Sequence, residues 1–429
     1  LPLAMAFAIA SGMSPTAGIW TAIVAGLLIS ALGGSRVQIG GPTGAFIPII
    51  YGIVVDYGVQ SLLVATMLAG AMLVAMGVFR LGNLIRFIPK AVVIGFTNGI
   101  AVVIFLAQIK DFLGLRIDHL PGEFFGKMKA LLTHLDTLDL PTVALSIASI
   151  VVLLSWNRLA RSIKFLTRLP GPLGVLVIAT VANALLQLPV ETIGSRFGGI
   201  PAELPRFIIP ELNWESARHL LMPAITLALL GAIESLLCAR VADSMTGDRH
   251  DPNQELMAQG VANVVTSLFG GMPATGTIAR TVTNIKSGAS TPVAGMVHAL
   301  SLLLIVLVAA PLAAAVPLPT LAAVLVFVAW NMGEWREFAR LKTYRLPYRV
   351  TLVSVFLLTV VFDLTVAVEF GIFAACLTFI YRISSLSRAE RMVAADLPAL
   401  AGRDESVQVW RLYGALFFGA TKLLEAIQD

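Results

Sequence analysis

Apolar residues run along this chain in long blocks, not in the alternation of a half-buried strand or the single stripe of a surface helix. A helix needs about 20 apolar residues, at about 1.5 Å rise each, to cross a bilayer. Runs of that order fall at roughly 17–32, 60–79, 90–109, 141–156, 169–187, 220–239, 254–270, 291–315, 318–333, 348–364 and 366–381. The run 1–12 adds another, and because the chain opens inside it we read it as a truncated first helix. Two further runs, 43–57 and 276–289, follow Gly/Pro/Thr clusters and are too short and interrupted to span alone. The pattern predicts an all-α integral membrane protein of 14 segments, with half-helices as segments 3 and 10.

The polar positions between the runs support that count. Arg80, Arg86 and Lys90 follow segment 4; Arg158, Arg161, Lys164 and Arg168 follow segment 6. Arg336, Arg340, Lys342, Arg345 and Arg349 follow segment 12; Arg382, Arg388 and Arg391 follow segment 14. Each cluster follows an even-numbered segment, so all share one face. The positive-inside rule makes that face cytoplasmic, with both termini inside a plasma (inner) membrane. The opposite loops are mixed in charge. That near 188–218 carries four glutamates among three arginines, and that near 110–139 contains an amphipathic stretch, Glu123 to Leu132.

The two halves also match each other. Pro42 is followed 47 residues later by Pro89, and Pro273 is followed 46 residues later by Pro319. Gly33-Gly34 precedes the first hinge and Gly270-Gly271 the second. The offset is about 230 residues, or seven segments, and an odd number of spans inverts the second copy. The expected architecture is a 7+7 inverted repeat, with repeats at about 1–190 and 215–388. Matching interrupted segments in two such halves point to the binding site of a transporter.

Composition narrows the class further. Of 429 residues, 57% are apolar and only 13% charged, with a mean hydropathy of +0.87. That excludes a soluble globule, a disordered chain and a nucleic-acid-binding protein. The formal charge of +5 is therefore a matter of membrane topology. Cys238 and Cys376 stand in apolar runs without metal or redox spacing. No nucleotide-binding, zinc-protease or nucleophile-elbow motif occurs. We expect no enzyme, no metal and no cofactor.

At each hinge a helix starts inside the bilayer, and its first N–H groups lack intrahelical partners and carry partial positive charge. Two such ends facing one another make an anion site. The candidate ends are Pro42, Thr43, Gly44 and Ala45, and Gly276, Thr277, Ile278, Ala279 and Arg280. Glycine admits a ligand close to the backbone, and threonine hydroxyls donate to an oxyanion. Arg280 is costly at membrane depth, about 2.5–3.5 kcal/mol on insertion scales, and unfavourable beside a helix N-terminus. An anionic ligand relieves both penalties; a pair with Glu234, or a guanidinium reaching the interface, are the alternatives. Glu234, inside an apolar helix, is the candidate proton carrier, with a structural role as its alternative. Glu369 is a weaker proton-path candidate. His298 reads as a packed helix residue, and Asp243, beside Arg240, as half of an interfacial ion pair.

These residues resemble a known family, the SulP sulfate-permease-type anion transporters. Leu1-Pro2-Leu3-Ala4-Met5-Ala6-Phe7-Ala8 resembles the start of that family's first helix, and Gly40-Gly41-Pro42-Thr43-Gly44 its third-helix hinge. Glu234 with Val241-Ala242-Asp243 resembles its eighth-helix signature. Thr277 to Thr281, with Thr291-Pro292-Val293-Ala294-Gly295, is similar to its tenth-to-eleventh segment. The resemblance implies a uracil-permease-like fold with a core of segments 1–4 and 8–11 and a gate of 5–7 and 12–14. It also implies an anion held between the third and tenth helices near Phe7, a homodimer, and a C-terminal STAS domain. Ser406 to Gly414 resembles an opening STAS strand, so 389–429 is expected to be a linker and the first part of a truncated STAS domain after a transport domain at 1–388. Leu3, Thr43 and Ala279 depart from many relatives and leave fewer side-chain donors. Glu234 and Cys238 stand where bicarbonate-carrying relatives have an Asp and a Thr on sodium, and a thiol is a poor sodium ligand.

The expected function is secondary active transport of a small anion, a sulfate-like oxyanion or a dicarboxylate, in symport with protons. An uncoupled channel or chloride/bicarbonate exchanger and a nucleobase permease share the scaffold and are the rival readings. Arg280 argues against the permease, because a neutral ring needs no such field.

Overall fold

Proline opens many of the helices, where its fixed φ suits the first turn and its missing N–H costs no hydrogen bond. Pro2, Pro15, Pro48, Pro172, Pro252, Pro319 and Pro347 all occupy such positions. The computed structural model describes residues 1–83, 89–117, 120–162, 170–201, 203–210, 214–362, 366–367, 369–371, 373–374, 376–377, 388–391 and 409–413. In the first half the helices are α1 (Pro2–Ala10), α2 (Pro15–Leu32), α3 (Ile47–Val78), α4 (Lys90–Leu113), α5 (Phe124–Thr133), α6 (Leu140–Ser162) and α7 (Gly171–Leu186). A short α8 (Ile193–Phe197) leads to α9 (Trp214–Thr246), α10 (Pro252–Ser267), α11 (Ile278–Lys286) and α12 (Val293–Ala314). Then come α13 (Leu318–Met332), α14 (Trp335–Ala339) and α15 (Leu346–Val361).

Thirteen predicted segments coincide with these helices. The fourteenth, 366–381, is described in part, as helix at 366–367, 369–371, 373–374 and 376–377, and most of 389–429 lies outside the described residues. Segments 3 and 4 are joined by a single residue: α3 bends at Gly58, whose φ of 83° is a conformation that favours glycine. The amphipathic stretch in the 110–139 loop is α5. Among the described residues, five helical stretches are long and apolar enough to cross a bilayer: α2, 44–78, α4, 218–246 and α12. The apolar parts of α6, α7, α13 and α15 are shorter.

The helices sort into two bundles. In one, α3 packs on α9 and α10, α2 on α1, α10 and α12, and α11 on α9. In the other, α4 packs on α13 and α15, and α6 on α13 and α7. These are the segments expected of a core and a gate. Among the described residues there are two antiparallel strand pairs. β1 (Gly40–Gly41) pairs with β2 (Thr275–Gly276). β3 (Arg388–Arg391) pairs with β4 (Trp410–Tyr413) and crosses the boundary placed at 388, where a linker was expected.

Glycine sets the closest approaches. A Cβ on Gly70 of α3 would stand 2.7 Å from the Gly260 carbonyl oxygen, and one on Gly260 of α10 would stand 2.5 Å from the Gly70 carbonyl oxygen. Small residues at such a contact let two backbones touch, as in membrane helix pairs generally. Gly70→Val should therefore destabilise by about 1–3 kcal/mol through overpacking. A thermal melt of the purified protein should show a clear drop for Gly70→Val but none for Gly52→Ala, whose Cβ would meet nothing within 4 Å.

Candidate functional site

Neither hinge can continue as helix, because Gly40-Gly41-Pro42 and Pro273-Ala274-Thr275-Gly276 interrupt it. Backbone left non-helical inside a membrane must find partners within the protein. Gly40 pairs with Gly276, and Gly41 with Thr275. Around that pairing Thr277 donates its N–H (2.9 Å) and its hydroxyl (2.8 Å) to the Ile39 carbonyl. Ile39 N–H donates to Thr281 Oγ1 at 3.0 Å, and Cys238 Sγ donates to the same oxygen at 3.3 Å. Asn263 binds both backbone groups of Ala274, and the Thr275 hydroxyl donates to the Gly231 carbonyl.

From this pairing two helix starts emerge. On one side Thr43 caps a short 3-10 turn, Gly44–Phe46, that runs into α3; its hydroxyl oxygen accepts from Ala45 N–H at 3.4 Å and donates to Glu234 Oε2 at 3.3 Å. On the other side Thr277 is the N-cap of α11, but its side chain makes no cap hydrogen bond because Ile39 has taken it. The first-turn N–H groups of Ile278, Ala279 and Arg280 are left without a side-chain cap. Arg280 reaches back across the pair, where Nη2 donates to the Pro42 carbonyl at 3.1 Å. Only glycine fits at position 41: φ is 150°, and a Cβ there would lie 2.6 Å from Arg280 Nη1. Thr43, Glu234 and Arg280 are half-buried, and Ile278 and Ala279 are exposed, so the helix starts open onto accessible space while the strands behind are buried.

The sequence candidates do not all stand alike. Pro42, Thr43, Gly44, Ala45, Ile278, Ala279 and Arg280 gather at the two starts, with the Phe7 ring against Gly44. Gly276 lies behind them, where its missing Cβ makes room for the Gln38 amide. The two threonine hydroxyls expected to serve an oxyanion are already committed, Thr277 to Ile39 and Thr43 to Glu234. Glu234 and Arg280 form no ion pair with each other among the described residues. Asp243 is paired with His250, whose Nδ1 stands 2.6 Å from Oδ2, and not with Arg240. A turn at Gly247, with φ of 76°, folds His250 back over the end of α9. His298 is half-buried and Glu369 exposed. Sequence reasoning passed over Asn263 and Gln38, polar residues in or beside apolar runs that the structure buries, and gave Thr281 no role of its own although it stands in the second hinge.

A multi-spanning bundle with two interrupted helices paired at their starts is the arrangement in which many secondary transporters place a central binding site. The Sulfate permease family model matches residues 1–353. The chain belongs to that family. It is 46% identical, over 99% of its length and 79% of the relative's, to the "Putative sulfate transporter YvdB" of Bacillus subtilis (strain 168). It is 30% identical to the "Bicarbonate transporter BicA" of Picosynechococcus sp. (strain ATCC 27264 / PCC 7002 / PR-6), over 99% of this chain and 77% of that one. Among solved structures, the transmembrane domain of a cyanobacterium BicA superposes with a TM-score of 0.78 at 31% identity, covering 86% of this chain and 93% of that one. SLC26A9 superposes with a TM-score of 0.82 over 99% of this chain and 71% of its own, and at 17% identity it speaks for the fold alone. The protein is a multi-pass membrane anion transporter of this family and not an enzyme.

Arg280→Ala removes the cation at the helix start and the bridge to Pro42. Saturation of labelled-anion uptake in proteoliposomes should show at least a ten-fold rise in KM; an unchanged KM would remove Arg280 from the site.

Proposed function

We propose that this chain carries a small anion, a sulfate-like oxyanion or a dicarboxylate, together with a proton across the plasma membrane by alternating access. The observation behind this reading is the uncapped start of α11 beside a guanidinium held over the opposite hinge. Backbone N–H groups and a fixed cation converge there, and among the described residues no carboxylate pairs with the arginine. A neutral nucleobase has no use for that field, whereas an oxyanion completes it.

Coupling follows from Thr43. Its hydroxyl hydrogen points to Glu234, and its oxygen takes the Ala45 N–H at the other helix start. When Glu234 is a carboxylate, Thr43 has a strong acceptor and holds this arrangement. A proton on Glu234 weakens that acceptor and frees the hydroxyl to turn toward a bound anion. The same proton removes a negative charge from the surroundings of the incoming one. Anion and proton therefore favour each other's binding, which symport requires. The Cys238 thiol is occupied with Thr281, so it offers no sodium ligand in place of the threonine of the bicarbonate-carrying relatives.

The core bundle moves against the gate in this reading, and the arginine-rich loops and both termini are cytoplasmic. A homodimer, and a STAS domain whose opening strand contains β4, complete this reading. Bicarbonate is the second substrate reading, because relatives at 30% and 31% identity are named as its transporters.

Proteoliposomes with an inward proton gradient should concentrate labelled sulfate or succinate, and collapsing the gradient should abolish accumulation. Accumulation that ignores the gradient would establish an uncoupled carrier, and uptake of bicarbonate alone would reassign the cargo. Glu234→Gln should remove the pH dependence while the protein remains folded by thermal melt. Thr43→Val should blunt it in the same direction. A Glu234→Gln protein that still follows the gradient would place the proton carrier elsewhere.

A further inference from the structure

A cavity of about 830 Å³ lies between the two bundles, on the side away from the arginine-rich loops. Its deep end is formed by Ala10, Ile47 and Pro48, the last two at the very start of α3, one turn from Thr43. Three residues before Ile47, Gly44 carries the Phe7 ring and the Ile104 side chain at 3.4 and 3.3 Å from its Cβ position. Apolar residues of α4 and the end of α15 form its walls. The roof is α5, which its own small core of Leu115, Ile117, Leu120 and Leu131 holds in place. A hydrogen bond from the Tyr51 hydroxyl of α3 to the Leu120 carbonyl ties the roof to the core bundle.

One cation lines this space. Lys127 of α5 is 6% exposed, and among the described residues it forms no ion pair or side-chain hydrogen bond. Its Nζ stands 5.4 Å from the centre of the Tyr51 ring. Among the described residues, the charged groups around it do not pair with it. Asp56 of α3 and Glu123 at the start of α5 line the same cavity but are exposed at its rim. Asp111, at the end of α4, is held by Arg196 at 2.9 Å. From α15 the polar lining group is Thr359, which donates to its own helix at 2.7 Å. A buried ammonium without a counter-ion is costly to keep, and a cation–π contact of this kind offsets only about 0.5–2 kcal/mol. An anion entering the cavity supplies what is missing.

We propose that Lys127 is the cation of an outer capture site, where the substrate anion is held between α3, α4 and α5 before it passes Phe7 and Ile104 to the paired hinges. The inference rests on the transporter reading above, since a waiting position there serves only an anion that is carried inward. It has a pH signature. Burial lowers the Lys127 ammonium to about 8, so the charged fraction falls from about nine-tenths at pH 7 to about one-tenth at pH 9. Capture is strong below that value and fades as pH rises through it, whereas an arginine keeps its charge throughout.

The test is initial-rate uptake of labelled sulfate and succinate from the medium by cells expressing the full chain, between pH 7 and pH 9, where both anions hold their charge. At pH 7, Lys127→Gln should raise KM about five- to ten-fold, with the change in KM and not in maximal rate. Wild-type KM should climb toward the Lys127→Gln value by pH 9, while Lys127→Arg holds KM low. Comparison at equal pH cancels any effect of the proton gradient itself. Where Lys127→Gln fails to reach the membrane, the wild-type and Lys127→Arg profiles decide the matter alone. Wild-type uptake with KM unchanged by Lys127→Gln, or with coincident wild-type and Lys127→Arg profiles, overturns the capture site and leaves the transporter reading standing. No wild-type uptake of either anion overturns the transporter reading for these substrates, and the capture site with it.

Discussion

The pairing of Gly40 and Gly41 with Thr275 and Gly276 is the constraint on which the site depends. A membrane protein cannot leave backbone amides unsatisfied within its core, yet an anion site built from helix starts needs free N–H groups there. This chain separates the two demands. The strand residues satisfy one another, the side chains of Thr277, Thr281 and Asn263 serve the non-helical backbone, and Thr275 ties its strand to the Gly231 carbonyl of α9. With those side chains spent on the strands, the cap hydroxyl of α11 is turned away from its own helix. The N–H groups left over are the ones that face accessible space.

Arg280 adds to that positive character instead of cancelling it. A guanidinium beside Glu234 would make a neutral pair and silence both groups. Here the guanidinium is drawn to the Pro42 carbonyl and the carboxyl to Thr43. In the proposed function the cation and the carboxyl thus act on different atoms of the same site, one by its field and the other through a hydroxyl. The glycine at position 41 is what allows the guanidinium to cross, so a backbone requirement and an electrostatic one meet in a single residue.

Much of this was legible in the sequence. Apolar run length located the helices, the Gly/Pro clusters located both hinges, and a charged residue in an apolar run singled out Arg280 and Glu234. What stayed hidden is side-chain direction, across 238 residues for Thr277 and Ile39 but only seven for Asp243 and His250. A threonine at a helix start reads as a donor to a ligand; nothing in the letters says that Thr277 turns instead to Ile39. Asp243 beside Arg240 reads as an ion pair because positions three apart share a helix face, but the turn at Gly247 brings His250 to Asp243 instead. Lys127 reads as one more charge in an amphipathic loop helix, because its burial is set by α3 and α15, which are remote in sequence.

The distribution of close backbone contacts explains how such a site can change access without being dismantled. Within the core, Gly70 meets Gly260, Gly18 meets the Ala4 carbonyl at 2.0 Å from its Cβ position, and Gly295 meets Ser30 at 2.1 Å. Within the gate, Gly95 meets the Leu352 carbonyl at 2.5 Å and Gly174 meets Trp156 at 1.9 Å. These contacts interlock main chains and large side chains, and they resist sliding because any shift creates a clash or a void. At the hinge, the contact across the bundle boundary is of another kind: Gly44 faces the tip of Ile104, a flexible side chain that a change of rotamer moves aside. Stiffness therefore lies inside each bundle and compliance lies between them. That favours displacement of one bundle against the other, with the strand pair and both helix starts carried intact on the core.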